Sequence, residues 1–190
     1  MTSRQYILDQ IRMSRRQSFD MPSLEDISPI KYEDRLGQFM SAVELVGGKA
    51  VLLEQEQDID GLVRSLFSEA SVIASSLPYM NASVNPDTVQ NASELNGVDV
   101  GVVEGRIAVA ENGCVWIPQT MKERAVLFIS ERLVIVVDRH DIVNNMHEAY
   151  SVVENDSYGC FISGPSKTAD IAQALVMGAQ AAREVVVLIK

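Results

Sequence analysis

After Gly47 the sequence consists of short apolar runs rich in valine and isoleucine, separated by segments whose apolar residues recur every three or four positions. The runs have the length and β-branched composition of strands. The apolar residues of the segments between them have the spacing of amphipathic helices. Uninterrupted apolar strands that alternate with such helices favour an α/β sheet covered on both faces. The close series of runs from residue 98 to residue 138 adds an antiparallel or mixed element. We therefore predict a mixed, mostly parallel sheet with helices on both faces.

The predicted strands all lie beyond Gly47. They cover residues 50–53, 72–76, 98–103, 107–111, 114–118, 126–130, 133–138, 160–163 and 185–189. Predicted helices in the same part of the chain cover residues 59–67, 139–154 and 168–182. Before Gly47 the pattern predicts a weakly amphipathic helix over residues 4–16 and a second helix over residues 31–46, which Gly47 and Gly48 end. The chain is thus divided into an N-terminal helical extension, residues 1–46, and an α/β domain, residues 47–190.

Composition restricts the possible functions. The 190 residues can form a sizeable core without a disulfide or a metal, and 16 basic against 26 acidic residues give a formal charge of -10. This charge argues against sequence-independent nucleic-acid binding and against docking on an anionic membrane, but not against a small anionic metabolite. No run approaches the ~20 apolar residues of a membrane span. The protein is expected to be cytoplasmic.

The two cysteines predict no cofactor site. Cys114 and Cys160 lie far apart, and the sequence contains neither a CxxC motif nor a Cys/His cluster. Such spacing builds neither a zinc site nor an iron–sulfur cluster from this chain alone. We therefore predict that this chain binds no cofactor and no metal.

An Asn-Gly pair lies between two strand-like runs, residues 107–111 and 114–118, and predicts a hairpin with a type I′ turn. In that register Glu111 is opposite Cys114 and Val109 is opposite Trp116. A carboxylate then lies on a rigid turn beside Asn112 and Gly113. The pattern alone favours a solvated flank of the turn, and the functional alternative is a catalytic Glu111 that faces a ligand.

A second candidate segment joins the predicted strand 160–163 to the predicted helix 168–182. Its residues could approach an anion through a glycine backbone, hydroxyls, a lysine and the free amides of a first helical turn. They are Ser163, Gly164, Pro165, Ser166, Lys167, Thr168 and Asp170. The segment is not a Walker A loop, because Ser166 and Phe161 stand where that motif needs glycine. The alternative is an ordinary helix N-cap.

We predict that the segment 164–168 and the hairpin tip 111–113 converge on one pocket that binds a small phosphate or carboxylate. Elsewhere, His140 lies just after the predicted strand 133–138. That position is suggestive, because ligands of α/β sheets gather beyond the carboxyl ends of strands. The sequence contains no GxSxG elbow, no HExxH helix and no dinucleotide-binding fingerprint.

The stretch ISGPSKTADIAQALVMGAQAAREVVVLIK, residues 162–190, resembles the end of the LUD (lactate utilization) domain, specifically that of the lactate utilization protein C family. The hairpin IAVAENGCV, preceded by VDVGVVEG, is similar to that family's A-[ED]-[TN]-G turn. One departure is Gln173, where glutamate is usual. The resemblance implies the α/β fold shared with glucosamine-6-phosphate isomerases, ribose-5-phosphate isomerases and family I CoA transferases.

The same resemblance implies a role in a three-protein system that oxidises L-lactate to pyruvate. The iron–sulfur clusters are then expected on partner subunits, and this chain is a non-redox subunit or a small-anion-binding module. A homo-oligomer is compatible with this role. The Glu-Asn-Gly turn also resembles the CoA transferase signature, whose glutamate is the nucleophile. The alternative function is therefore a small-molecule enzyme, related to CoA transferases or sugar-phosphate isomerases, that uses Glu111.

Overall fold

A computed structural model describes residues 2–14, 19–20, 22–23, 27–153, 158–169 and 174–190. The α-helices are α1 Ser3–Ser14, α2 Arg35–Leu45, α3 Ile59–Leu66, α4 Val126–Ile129 and α5 Met146–Val153, and two short 3-10 helices cover Ala92–Leu95 and Arg139–Asp141. The strands are β1 Lys49–Leu52, β2 Ile73–Ala74, β3 Val100–Glu104, β4 Ile107–Val109, β5 Cys114–Pro118, β6 Arg132–Val137, β7 Ile142–Val143, β8 Gly159–Ile162, β9 Lys167–Thr168, β10 Val176–Met177 and β11 Glu184–Ile189.

The longest apolar runs form the centre of a five-stranded sheet with the order β1-β11-β6-β3-β2. Each of the pairings described between these strands is parallel. Side chains of β6 alternate between two cores: Leu133 and Ile135 pack on the face that holds Phe39 of α2, and Val134 packs on the face that holds Val63 of α3. Helices thus cover both faces, and the predicted α/β fold class is confirmed.

The predicted antiparallel component forms a separate four-stranded sheet with the order β7-β4-β5-β8. Its β4–β5 and β5–β8 pairings are antiparallel, whereas β4 pairs with β7 in parallel. Helix α5 packs on it through Ala149 and Val153. Strands β9 and β10 form a third, two-stranded unit.

Three predicted elements are wrong. The predicted strand 126–130 is the short helix α4, in which the Ser130 hydroxyl donates a hydrogen bond of 2.7 Å to the Val126 carbonyl. An apolar run of this length fits a buried helix turn as well as a strand, so the pattern could not separate the two. The predicted helix 139–154 begins only at Met146, because Ile142 and Val143 pair with Ala108 and Val109.

The third error is the predicted helix 168–182. In its described residues, 168–169 and 174–182, the chain forms β-structure and bends instead: Lys167 and Thr168 pair with Met177 and Val176. Gly178 then adopts a φ of +73°, which a right-handed helix does not allow, and its amide donates to the Ser166 carbonyl. Strand pairing and this glycine therefore override a helical pattern of apolar residues.

The two N-terminal helices differ in their packing. No side chain of α1 is buried, whereas α2 buries Phe39, Ala42 and Val43 against the main core. The Asp34 carboxylate accepts a hydrogen bond from the Gly37 amide at the start of α2, and Gly47, with a φ of +82°, ends it. Whether residue 46 is a domain boundary stays a prediction. Among the described helices, none is long and apolar enough to cross a membrane.

Candidate functional site

The carboxyl ends of β3, β6 and β11 lie side by side, and charged residues follow each of them. Glu104 ends β3, Asp138 follows β6 and Lys190 follows β11. They border an open cleft of about 370 Å³, which we call the strand-end cleft. Its lining residues are Glu104, Gly105, Arg106, Pro118, Thr120, Asp138, Asp141 and Lys190. This is the edge at which parallel α/β sheets commonly bind ligands.

Both signs of charge meet in this cleft. The Lys190 ammonium donates a hydrogen bond of 2.8 Å to Glu104 Oε1, and Arg106 adds a second cation. Asp138 Oδ1 accepts the His140 amide at 2.8 Å, which fixes the turn that follows β6. Burial, together with the nearby Glu104 carboxylate, raises the pKa of Tyr79 to about 12, so this phenol stays protonated beside Glu104 at neutral pH.

The cleft can recognise a small molecule that carries both an anionic group and a hydrogen-bond donor. A guanidinium and an ammonium bind carboxylates strongly, and carboxylate oxygens accept hydrogen bonds from hydroxyl groups. Among the described residues, no group of three or more His, Cys, Asp or Glu side chains is arranged to hold a metal ion. The two cations of the cleft, Arg106 and Lys190, are suited to polar recognition of an organic anion.

The β4–β5 hairpin has a different turn from the predicted one. Val109 pairs with Cys114 and Ile107 with Trp116, so the loop contains four residues, 110–113, and the predicted type I′ register is wrong by two residues. In this loop only Gly113 has a positive φ, of +67°. The amides of residues 110 and 111 donate to the carbonyls of residues 143 and 144, so the hydrogen bonding between β4 and β7 continues into the loop.

Glu111, the predicted catalytic residue, is exposed, and its Oε2 accepts a hydrogen bond of 3.0 Å from the Met146 amide. Met146 begins α5, so the carboxylate stabilises a helix N-terminus, where negative charge is favourable. Glu111 does not line the strand-end cleft. Its catalytic role stays a prediction.

The structure brings the two predicted segments together. The Ser163 hydroxyl donates to the Asn112 carbonyl at 2.9 Å, and Lys167 Nζ donates to the Val46 carbonyl. A Cβ added to Gly164 would lie 2.6 Å from the Val46 carbonyl oxygen, and one added to Gly113 would lie 2.7 Å from the Val43 amide nitrogen. The last turn of α2 therefore occupies the place where the two segments meet.

The segment 163–167 also lines a second cleft, of about 400 Å³, which we call the loop cleft. The cleft is also lined by parts of α4, β8 and the residues that precede β11. Its lining residues are Leu127, Phe128, Leu133, Cys160, Phe161, Ile162, Ser163, Gly164, Pro165, Ser166, Lys167, Gln180, Ala181, Ala182 and Val185. Asn112, Gly113 and Thr168 do not line it, and Asp170 lies outside the described residues.

Thr168, the predicted first residue of the helix, lies in β9 instead, and the other described residues of that prediction, 169 and 174–182, are not helical. The Ser166 amide donates instead to the Ala182 carbonyl at 2.9 Å. Anion binding by the predicted segment stays a prediction.

The residues of the strand-end cleft were not among the predicted site residues. The available signal was their position directly after buried strands, and this signal was noted only for His140. His140 does not line the cleft, but its neighbours Asp138 and Asp141 do. Arg106 and Lys190 follow β3 and β11 in the same way.

Comparisons with known proteins agree with the fold. A crystal structure of a DUF162 family protein from Deinococcus radiodurans, solved at 1.70 Å resolution, superposes with a TM-score of 0.65 at 15% identity, over 85% of this chain and 99% of that chain. No curated protein matches the sequence. The family model described as LUD domain matches residues 74–189, which is more than half of the chain. The protein therefore belongs to the LUD domain family, which is related to lactate utilization.

Proposed function

We propose that this protein is a non-redox component of a system that oxidises L-lactate to pyruvate, and that its strand-end cleft binds the small carboxylate. Family membership supports the connection with lactate utilization. The observation that carries the proposal is the cleft itself, where two cations and three carboxylates line a cleft beside the carboxyl ends of three parallel strands.

The chemistry of L-lactate matches this set of side chains. Its carboxylate needs cationic donors, which Arg106 and Lys190 supply, and its hydroxyl needs an acceptor, which Asp138 or Glu104 supplies. Lys190 already donates to Glu104, and an ammonium has two further N–H groups to offer. Recognition of both ends of a 2-hydroxy acid therefore requires only residues that already line the cleft.

The proposed role of this chain is binding, without electron transfer. Oxidation of the hydroxyl group of lactate to a carbonyl removes two electrons and two protons, and the electrons need an acceptor. We propose that iron–sulfur subunits of the same system accept them in the cytoplasm. A homo-oligomer of this chain is compatible with that assembly.

The binding step is tested by calorimetric titration of L-lactate into the full chain. We expect saturable binding, and Arg106→Gln should weaken it about tenfold or more, the usual effect of losing a charged hydrogen bond. The matched control is Arg183→Gln, since Arg183 is also exposed and lies outside the strand-end cleft. Equal affinities in the two variants, or no binding of L-lactate, would contradict the proposal.

The cellular role is tested by deletion of the gene and growth on L-lactate as the carbon source. The deletion strain should fail to grow, the wild-type gene and the Arg183→Gln gene should restore growth, and Arg106→Gln should not. Normal growth of the deletion strain would separate this chain from lactate oxidation, whatever the titration shows.

A further inference from the structure

The loop cleft is cationic in an otherwise acidic protein. The chain has a formal charge of -10, yet none of the described residues that line this cleft is acidic. Lys167 is the charged residue among them. We propose that the loop cleft is a second binding site, for an amphipathic acid with an apolar chain and one anionic group.

The floor of the loop cleft fits an apolar chain. Leu127, Leu133 and Val185 line it and are buried, and Ile162 and Phe128 add apolar side chains that are partly exposed. Phe128 remains 43% exposed, so a ligand that covers it removes apolar surface from water. A volume of about 400 Å³ is within the range of small-molecule sites.

Polar groups of the loop cleft lie along the segment that carries Lys167. The hydroxyl residues Ser163 and Ser166 belong to this segment, and Gln180 lies between β10 and β11. Lys167 Nζ donates to the Val46 carbonyl, which holds the side chain in place and leaves two N–H groups for a ligand. The anionic group therefore binds at Lys167, and the apolar chain extends over Phe128.

The two clefts select against each other's ligands. The strand-end cleft is lined mostly by charged and small residues and has no large apolar side chain comparable to Phe128 for an acyl chain to cover. The loop cleft lacks a carboxylate that could accept the hydroxyl of a 2-hydroxy acid. This second site is independent of the proposed role in lactate oxidation.

The test uses octanoate as the probe, titrated into the full chain by calorimetry. Octanoate should bind saturably, octanol more weakly, and octylammonium weakest of the three. Lys167→Gln should weaken octanoate binding about tenfold and leave octanol binding within about twofold, whereas Lys167→Arg should retain octanoate. Phe128→Ala should weaken both octanoate and octanol, because the apolar surface is shared.

Lys122→Gln is the matched control, because Lys122 Nζ also donates to a backbone carbonyl, that of Val89, away from the loop cleft. It should leave octanoate affinity unchanged. The proposal is overturned if octanoate shows no saturable binding, if Lys167→Gln affects it no more than Lys122→Gln, or if octylammonium binds as well as octanoate. Displacement of octanoate by L-lactate would also overturn it, because both ligands would then share one cleft.

Discussion

The strand-end cleft and the loop cleft have similar volumes, about 370 and about 400 Å³, but they are lined by different kinds of side chain. The first is built at the ends of three paired strands and gathers charges of both signs. The second is built by packing a loop, a short helix and a strand connection around an apolar floor. The difference follows from how each part of the chain leaves the core: a buried strand must end in polar residues where it reaches water, whereas a loop can fold back over apolar side chains.

The clefts also differ in what holds them. The strand-end cleft depends on the registers of β3, β6 and β11, which the buried core supports on both faces. The loop cleft depends on close contacts between the segment 163–167 and the last turn of α2. A small change at that contact should therefore affect one cleft and spare the other.

The largest effect is expected for Gly164→Ala. Gly164 has a φ of +64°, and an added Cβ would lie 2.6 Å from the Val46 carbonyl oxygen, so both backbone strain and a clash with backbone result. We expect a loss of about 2–4 kcal/mol in the free energy of unfolding, or roughly 4–16 °C in Tm. Octanoate binding should be lost and L-lactate binding retained.

Gly97→Ala is the control for this change. Gly97 has a φ of +80° but no atom within 4 Å of an added Cβ, so it reports the backbone strain alone, about 1 kcal/mol. Thermal unfolding of both variants separates strain from clash. Equal losses in the two variants would show that the contact with α2 does not hold the loop.

A smaller effect is expected on the reactivity of Cys160, which lines the loop cleft. Burial raises the pKa of its thiol, so the thiolate fraction at pH 8 is low and the alkylation rate should rise steadily with pH above 9. Burial raises the pKa of Cys114 to about 12, so Cys114 should react more slowly. Octanoate should slow the alkylation of Cys160 several-fold, and L-lactate should leave it unchanged.

Iodoacetamide labelling followed by mass spectrometry measures both rates, since the chain contains two cysteines. Protection of Cys160 by L-lactate would place that ligand in the loop cleft and remove the distinction between the two sites.

The smallest effect is expected at Asp99, at the opposite end of β3 from Glu104. Its Oδ2 accepts hydrogen bonds from the Val72 and Ser71 amides, at 2.8 and 2.7 Å, and these hold the pKa of Asp99 below its usual value. Its stabilising contribution is therefore fully present above about pH 4 and is lost as the pH falls through the lowered pKa. Asp99→Asn should lower the free energy of unfolding by less than about 1 kcal/mol at pH 7.

Urea unfolding at pH 7 and pH 3 tests this assignment. The difference in the free energy of unfolding between wild type and Asp99→Asn should be smaller at pH 3 than at pH 7. The affinities for L-lactate and octanoate should be unchanged. A difference that grows at pH 3 would contradict it.

The strands were predictable where burial on both faces leaves an uninterrupted apolar run, as in β6 and β11. Helix α2 was predictable because its apolar residues lie on one face of the helix and two glycines follow its end. The predictions failed where tertiary pairing decides between two patterns, as in α4 and in the residues around Gly178. No local sequence pattern predicts that β10 pairs with β9.

The candidate site was predictable only in part, for a related reason. The segment 163–167 has a recognisable composition, and it does line a cleft. The strand-end cleft is assembled from residues far apart in sequence, such as Glu104 and Lys190, which are separated by 86 positions. Only the order of strands in the sheet brings them together, and this order is not visible in a single sequence.

We propose that the strand-end cleft binds a small carboxylate at the ends of β3, β6 and β11. Mapping of backbone amide chemical shifts by NMR, with L-lactate and then octanoate added to the same labelled protein, tests it most directly. L-lactate should shift the amides of Glu104, Arg106 and Asp138 and leave those of Ser163 and Lys167 unchanged, and octanoate should do the reverse. Shifts by L-lactate at Ser163 and Lys167, or no shift at Glu104, Arg106 and Asp138, would contradict the account.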